Sequence, residues 1–244
     1  MYETDHHEGM IAETVTIADA NGDVCVPGAP AGTGAVPGMV LAHHMPGWDS
    51  GTVRRRASSP TTAPRFRPTS TTVSATTPRG WRPGACPGGV PDDQAVGDLA
   101  GAMRFLRGQP TSNGKVGIFG TCSGGRHAYL AACRVRASTL VLDLWGSRVV
   151  ATPDQLTESR RSPIDYAGSL LSILGLFGEE DQSPTPEQVA IHEAALKEHG
   201  KEYEFHMYPD AGHGFFYYNR PNYRQAQAVD GWEKIWAFLA RTIG

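Results

Sequence analysis

The chain has 244 residues, 40% hydrophobic residues and a formal net charge of −3 at pH 7. This length can bury a large core within a single domain, which we assign to residues 1–244. The weak negative charge argues against nucleic-acid or membrane-surface partners. No apolar run approaches the roughly 20 residues that span a bilayer, and the polar N-terminus lacks a signal-peptide core. We therefore expect a cytoplasmic monomer or small homo-oligomer that acts on a small-molecule substrate.

The cysteines give no sign of a metal site or a disulfide framework. They are Cys25, Cys86, Cys122 and Cys133, and none belongs to a C-x-x-C pair. A chain of this length needs no disulfides to be stable, so reduced thiols are expected.

The predicted elements alternate between strands and helices. Apolar runs predict strands over 13–18, 23–27, 39–44, 139–144, 170–177 and 203–207, with a further strand from 115 that breaks into a helix near 123. Helices are predicted over 93–106, 186–199 and 223–242. In the last helix an apolar stripe is predicted to face the core, and its members are Val229, Trp232, Ile235, Trp236 and Leu239. This alternation favours an α/β fold with a mainly parallel, doubly wound sheet and helices on both faces.

The stretch over 50–91 departs from the rest of the chain. It contains no Asp, Glu, Lys, Leu, Ile, Met or Tyr, and its seven prolines are expected to interrupt any helix or core strand. A disordered insertion or mobile lid is one interpretation. Translation in the wrong reading frame is the other, and the abrupt change after Asp49 and return at Asp92 favour it. A sheet that lacks an internal strand there is expected to be poorly stable.

The segment around Cys122 predicts a nucleophile elbow. The run from Lys115 to Phe119 is typical of a short buried strand, and Gly120 and Gly124 flank the cysteine two positions away on either side. Small neighbours are needed where a strand turns sharply into a helix. Free N–H groups at the start of that helix favour the thiolate, which is a better nucleophile than the serine usual at this place. A buried structural cysteine is the alternative that so short a motif leaves open.

Two later segments supply the remaining groups of a hydrolase triad. In α/β-hydrolases the triad follows the chain order nucleophile, acid, histidine. Asp181 lies in a turn-rich loop after the run over 170–177, and His213 lies between two glycines after the strand over 203–207. Taken singly, each has an ordinary alternative, a turn-forming aspartate or a surface histidine. Because they occur together with Cys122 in the required order, we predict a catalytic triad.

With these motifs in place, the chain resembles the dienelactone hydrolase (carboxymethylenebutenolidase) family. The resemblance rests on the G-x-C-x-G-G elbow, the Asp-containing loop and the Gly-His-Gly-Phe turn. It covers 92–244 well and 10–49 in part. It implies an α/β-hydrolase fold, no cofactor, and hydrolysis of a small enol lactone or related ester during the degradation of aromatic compounds. It also implies Cys122 as nucleophile, Asp181 as acid and His213 as base.

The loop after the strand over 39–44 departs from the family pattern. Family members carry a glutamate there that contacts the resting thiol, whereas this chain has His44. His44 is a candidate for substrate contact, with a merely hydrogen-bonded histidine as the alternative. Because successive strand residues face opposite ways, His43 and His44 are not expected to share a metal site.

Three further residues complete the predicted site. The backbone N–H groups of Ser123 and Met45 are predicted to form the oxyanion hole. Arg220 is a candidate clamp for a substrate carboxylate, with an ordinary surface arginine as the alternative. Two other functions stay open, namely a cysteine hydrolase for another small ester or thioester, and a non-catalytic α/β protein that binds ligands or partners.

Overall fold

The computed structural model describes residues 10–12, 15–16, 24–25, 28–30, 35–42, 44, 71–75, 90–135, 137–156 and 161–244. Within these residues the strands are β1 (Met10–Ala12), β2 (Val15–Thr16), β3 (Val24–Cys25), β4 (Gly28–Pro30), β5 (Val36–Ala42), β6 (Thr71–Ala75), β7 (Ser112–Thr121), β8 (Leu140–Leu144), β9 (Ser172–Gly178) and β10 (Glu202–Tyr208). The α-helices are α1 (Asp92–Arg107), α2 (Ser123–Arg134), α3 (Pro186–Glu198) and α4 (Gln225–Thr242). Two 3₁₀-helices, Pro153–Gln155 and Pro163–Ser169, lie between β8 and β9.

One sheet organises the described part of the chain. Its eight strands follow the order β1-β4-β6-β5-β7-β8-β9-β10. From β6 to β10 every neighbouring pair is parallel, whereas β1 and β4 extend the sheet with antiparallel pairing. Strands β2 and β3 pair separately. The prediction of a mainly parallel α/β sheet is therefore confirmed.

Helices cover both faces of this sheet. Successive strand residues face opposite sides, so Val40 joins a core formed with α1 and α2, while the adjacent Leu41 joins a second core formed with α4. The first core includes Met103 and Tyr129, and the second includes Phe238. Burying strands on both faces explains why they appear in the sequence as nearly continuous apolar runs.

Local signals in the sequence set the bounds of α3. The Thr185 hydroxyl accepts a hydrogen bond from the Gln188 N–H, and the Gln188 side chain accepts one from the Thr185 N–H, which forms a capping box. Pro186 occupies the first turn, where its missing N–H has no helical partner to lose. The helix ends before Gly200, whose φ of +60° reverses the chain.

The expectation that prolines interrupt any core strand in the stretch over 50–91 is wrong. Strand β6 lies inside the sheet, and all five of its residues pair in parallel with β5. Pro68 and Pro78 flank it, and the window between them contains the β-branched residues Thr71, Thr72 and Val73, which favour strands. The sheet position expected to be empty is therefore filled. The reading-frame hypothesis stays a prediction, since most of this stretch lies outside the described residues.

The structure also differs from the sequence analysis at two short strands and at one residue of the last helix. The short β1 and β4 were not predicted, because strands of three residues carry too little periodicity to be recognised. In α4, Val229 is 51% exposed and does not belong to the core. The buried stripe begins instead at Ala228 and continues through Ile235 and Leu239. Val229 is rotated by about 100° from Ala228 around the helix axis, which turns it towards solvent.

The carboxyl ends of the parallel strands meet at one edge of the sheet. Parallel α/β sheets bind their ligands beyond this edge. The loops after β5, β7, β8, β9 and β10 all begin there, and these loops carry the residues described next. Among the described residues, no helix is long and apolar enough to cross a membrane.

Candidate active site

Cys122 occupies a sharp turn between β7 and α2. Its φ of 56° and ψ of −125° are uncommon for a residue with a side chain, and this strain is typical of a nucleophile elbow. A Cβ added to Gly120 would lie 2.2 Å from the Gly124 carbonyl oxygen, so only glycine fits at that position. The Cys122 N–H donates to the Leu144 carbonyl at 3.0 Å. The backbone thus presents the sulfur at the carboxyl edge of the sheet.

A buried ion pair fixes the helix that begins at the elbow. Arg126 in the first turns of α2 donates to both carboxylate oxygens of Asp92, at 2.5 and 3.0 Å. The same guanidinium donates to the Arg161 carbonyl at 2.9 Å. Both side chains of the pair are almost fully buried. Because the fork of an arginine matches a carboxylate in two contacts, this pair ties α2 to the start of α1 in one orientation.

Asp181 and His213 are brought together by the loops after β9 and β10. The His213 Nδ1 lies 2.9 Å from one carboxylate oxygen of Asp181 and 3.2 Å from the other. Asp181 is 1% exposed, and its Oδ1 also accepts a hydrogen bond from the Ser183 N–H at 2.8 Å. Since Nδ1 is engaged by the carboxylate, Nε2 is the ring nitrogen left to face the sulfur of Cys122.

Backbone contacts lock the acid loop against the histidine loop. The Glu179 N–H donates to the Tyr208 carbonyl at 3.0 Å, and the Glu180 N–H donates to the Ala211 carbonyl at 2.9 Å. A Cβ on Gly178 would lie 2.1 Å from that Ala211 oxygen, so this close approach requires glycine. The separation of Asp181 and His213 therefore depends on backbone rather than on flexible side chains.

The electrostatics of the pair favour a thiolate facing an imidazolium. Burial raises the pKa of Cys122, but the hydrogen bond and charge of His213, the Ser123 N–H and Ser147 outweigh it, so the thiol pKa lies below its usual value. Burial lowers the pKa of His213, but the Asp181 carboxylate and the Cys122 sulfur outweigh it and raise that pKa to about 10. Both shifts favour the thiolate–imidazolium form of the pair over the form in which both groups are neutral.

Of the predicted oxyanion-hole pair, only Ser123 can be placed. It is the first residue of α2, and its N–H contacts the Cys122 sulfur. Such an N–H at a helix start is suited to an oxyanion that forms beside the sulfur. Met45 lies outside the described residues.

His44 and Arg220 are both placed through Tyr217, which sequence reasoning did not single out. The His44 ring is buried 5.2 Å from the Tyr217 ring, and the Arg220 guanidinium carbon lies 5.0 Å from the centre of the same ring. The Tyr217 hydroxyl lies 3.4 Å from the hydroxyl of Thr121, the residue before Cys122. Tyr217 follows the His213 turn by four residues, and that closeness was the available signal.

Ser147 is a further residue that sequence reasoning missed. Its Oγ lies 3.9 Å from the Cys122 Sγ and donates a hydrogen bond to the Ser183 carbonyl at 2.7 Å. The available signal was its position three residues beyond β8, because loops at the carboxyl ends of parallel strands line the ligand site.

A buried carboxyl group lies behind the elbow. Asp143, the fourth residue of β8, is 0% exposed, and its carboxyl group contacts the backbone N–H of Gly146. Added Cβ atoms on Gly125 or Gly146 would lie 2.3 or 2.2 Å from its Oδ1. Burial, opposed by the Gly146 N–H, raises the pKa of Asp143 to about 7. The carboxyl group thus fills a space between the elbow helix and the loop that carries Ser147.

The described residues hold no group of three or more His, Cys, Asp or Glu side chains that could bind a metal ion.

Comparison with known proteins agrees with this architecture. The sequence model of the dienelactone hydrolase family matches residues 88–243. A "Putative carboxymethylenebutenolidase" of Methylorubrum extorquens is 34% identical over 151 residues, which cover 60% of this chain and 50% of that protein. The "Carboxymethylenebutenolidase" of Pseudomonas putida is 29% identical over 148 residues, 61% of this chain and 58% of that protein. The chain spans about half the length of the curated relatives it matches.

Solved structures share the fold at low sequence identity. A "Putative Dienelactone Hydrolase" from Klebsiella pneumoniae superposes with a TM-score of 0.79 at 22% identity, over 95% of this chain and 98% of that one. An esterase from Pyrobaculum calidifontis gives a TM-score of 0.67 at 18% identity, over 93% of this chain and 86% of that one. The predicted α/β-hydrolase fold is thereby confirmed.

Proposed function

Because the chain belongs to the dienelactone hydrolase family, we propose that it hydrolyses a small enol lactone or a related activated ester through the sulfur of Cys122. The observation that supports this proposal is the position of that sulfur at the elbow, next to His213. The Asp181 carboxylate hydrogen-bonds the His213 ring and raises its pKa. A purely structural cysteine needs neither a strained turn nor a charged partner.

In the first half of the proposed reaction, the Cys122 thiolate attacks the lactone carbonyl carbon. The carbonyl electron pair moves to oxygen, where the Ser123 N–H stabilises the charge. When the carbonyl re-forms, the ring C–O bond breaks and its electron pair leaves as an enolate. The product of this half-reaction is a thioester at Cys122, with the opened chain attached through its acyl carbon.

In the second half, water hydrolyses the thioester. His213, neutral after giving its proton to the enolate, takes a proton from the water through Nε2 while the water oxygen bonds to the acyl carbon. The C–S bond then breaks, its electron pair returns to sulfur, and the carboxylic acid product leaves. Asp181 holds the ring in the orientation that both proton transfers require.

The nucleophile limits the range of proposed substrates. A thiolate is itself a good leaving group, so a tetrahedral intermediate expels it unless the substrate's oxygen leaves more readily. An enolate meets this condition and an ordinary alkoxide does not. We therefore expect ordinary alkyl esters to be poor substrates.

Two residues beside the triad are proposed to contact the substrate. Arg220 is exposed above the Tyr217 ring, from which it can reach a carboxylate on the substrate. His44, whose ring centre lies 5.2 Å from that of Tyr217, stands in the place of the family's glutamate and is proposed to line the same cleft. Arg220→Lys is expected mainly to raise KM, because a point charge replaces a two-pronged contact.

Ring opening of cis- and trans-dienelactone, followed by ultraviolet absorbance, tests the proposed function. The wild-type protein is expected to turn over at least one isomer, and folded Cys122→Ala is expected to lose that activity. Full activity in Cys122→Ala would refute the nucleophile. If the folded wild type turns over neither isomer, a panel of small activated esters and thioesters separates another hydrolase from a protein that only binds ligands.

A further inference from the structure

The Ser147 hydroxyl links the nucleophile to the acid by a route that avoids His213. Its Oγ lies 3.9 Å from the Cys122 Sγ and 2.7 Å from the Ser183 carbonyl oxygen. The N–H of the same Ser183 donates to the Asp181 carboxylate at 2.8 Å. The peptide groups of Ser183 therefore connect the Ser147 hydroxyl to the Asp181 carboxylate on one side of the site. On the other side, His213 connects Cys122 and Asp181.

The loop backbone holds this hydroxyl in place. The Ser147 N–H donates to the Cys122 carbonyl at 3.2 Å, so nucleophile and serine are joined by main chain as well as by side chains. Trp145 and Arg148 on either side have φ values of 44° and 62°, which bend the loop back towards the elbow. The Oγ is thus positioned near the sulfur independently of any movement of His213.

A hydroxyl has one proton and here has two acceptors. At 2.7 Å from the Ser183 carbonyl oxygen, the proton must lie between the two oxygens, and Oγ then turns a lone pair to the sulfur and can accept from a thiol. When the sulfur is a thiolate, a donated hydrogen bond to it is charge-assisted and stronger than one to a neutral carbonyl. Rotation about the Cβ–Oγ bond is enough to exchange these partners.

We propose that Ser147 is a catalytic residue whose hydroxyl donates to the Cys122 sulfur whenever that sulfur is negatively charged, and to the Ser183 carbonyl when the sulfur is protonated or acylated. The role in turnover rests on the proposed function. In thioester hydrolysis, the electron pair of the breaking C–S bond returns to sulfur, the water proton moves to His213, and the Ser147 proton stays on its own oxygen while rotating to the forming thiolate.

Site-specific alkylation tests the proposal without any substrate. The protein is treated with iodoacetamide across a pH series, and modification of the peptide that contains Cys122 is followed by mass spectrometry, which separates it from the other cysteines. Ser147→Ala is expected to raise the apparent pKa of Cys122 by about one to two pH units, the worth of one charge-assisted hydrogen bond. At pH values below the wild-type pKa of Cys122, alkylation should then slow about tenfold or more, with little change where the thiol is fully ionised in both proteins.

A matched pair of variants isolates the hydroxyl from the shape of the side chain. Ser147→Thr and Ser147→Val have the same size, and only threonine keeps the hydroxyl. Threonine should leave the alkylation profile near that of wild type, whereas valine should shift it as alanine does. Ser169→Ala, which removes an exposed hydroxyl at the end of a 3₁₀-helix, is the control and should change nothing.

Three results would overturn the proposal. They are an unchanged Cys122 profile in Ser147→Ala, a shift to lower pH, and equal shifts in the threonine and valine variants. A shift to lower pH would mean that the hydroxyl only accepts from the thiol. These results are independent of the lactone assay: Cys122→Ala activity tests the proposed function, while the alkylation profile tests Ser147 alone.

Discussion

At Cys122 and His213 the two pKa shifts have opposite signs and support the same ion pair. The thiol pKa is lowered and the imidazole pKa is raised to about 10. Thiolate and imidazolium therefore coexist at pH values between the thiol pKa and the imidazole pKa. Activity that depends on this pair should fall as pH drops through the lowered thiol pKa. It should fall again as pH rises through the histidine pKa.

Asp181→Asn should weaken this pair while preserving the shape of the side chain. Without the carboxylate, the pKa of His213 falls from about 10 towards its ordinary value, and the charge that stabilises the thiolate is lost at lower pH. We expect kcat/KM to fall by roughly 10² to 10⁴, as when an acid in such a triad becomes an amide. The alkaline limb of the pH–rate profile should move to lower pH. An unchanged alkaline limb would contradict the role given to this carboxylate.

The buried carboxyl group of Asp143 is expected to make the stability of the protein, and not its activity, depend on pH. Its pKa is about 7 when folded and 3.8 in its ordinary setting, so its contribution to folding is fully present below pH 3.8 and is lost as pH rises to about 7. Asp143→Asn cannot ionise and should escape this loss. Between pH 4 and pH 8, the unfolding free energy of Asp143→Asn should rise relative to that of the wild type by up to about 4 kcal/mol.

Chemical denaturation at both pH values measures this gain. Asp154→Asn, at an exposed position, is the control and should track wild type at both. A constant difference between Asp143→Asn and wild type across the range would show that the buried carboxyl does not titrate as described.

At the residue scale, the sequence predicted groups that belong to motifs and missed those placed by the fold. Cys122 and His213 lie in short glycine-flanked patterns, and the order of the triad along the chain pointed to Asp181. Ser147 belongs to no pattern, and its approach to the sulfur depends on the bend of a loop. The burial of Asp143 depends likewise on glycines 18 residues before it and three residues after it, a contact that no local window contains.

At the level of the secondary-structure elements, the elbow requires the end of β7 to pack closely against the first turn of α2. A side chain at Gly120 would collide with the backbone of α2, and α2 cannot move away without displacing Cys122. Such a position constrains the sequence far more tightly than helix or strand propensity does. The helix over 186–199, which the sequence closes with Gly200, was correspondingly easy to predict, whereas the position of the elbow was visible only through its glycines.

Gly120→Ala should therefore destabilise the protein by roughly 3 kcal/mol and abolish Cys122 reactivity. Gly108→Ala is the matched control, because the nearest atom to an added Cβ there lies at an ordinary 3.5 Å and the backbone is helical. The control should stay within about 1 kcal/mol of wild type. Melting and iodoacetamide alkylation of both variants make the comparison. Equal behaviour of the two variants would contradict the close approach described at the elbow.

At the scale of the whole molecule, the sheet joins segments far apart in the chain. Strand β6 pairs with β5 across a stretch whose composition is unlike that of the flanking sequence. The composition averaged over 50–91 gave no sign of the five-residue segment that forms β6. For that reason the expectation that prolines interrupt any core strand in this stretch was wrong. The order of strands, which brings five loops to one edge, follows from the parallel crossovers that alternating strands and helices require.

Val73→Pro tests whether the sheet depends on β6. Val73 is paired with Val40 in the interior of the sheet, and proline removes an N–H while blocking close pairing. We expect a loss of about 3 kcal/mol or more, seen as a lower melting temperature or insoluble protein. Val73→Thr keeps the N–H and the β-branched shape and serves as the control. Unchanged melting in Val73→Pro would show that β6 contributes little to stability.

The proposed mechanism requires a covalent bond between the substrate's acyl group and the sulfur of Cys122. The most direct measurement is intact-protein and peptide mass spectrometry of the enzyme quenched during turnover of dienelactone or another substrate from the ester panel. We predict an added mass equal to that of the acyl group, carried by the Cys122 peptide, absent from Cys122→Ala and accumulating when Asp181→Asn slows deacylation. Turnover with no adduct on Cys122 in either enzyme, together with activity retained by Cys122→Ala, would contradict the proposed thioester intermediate.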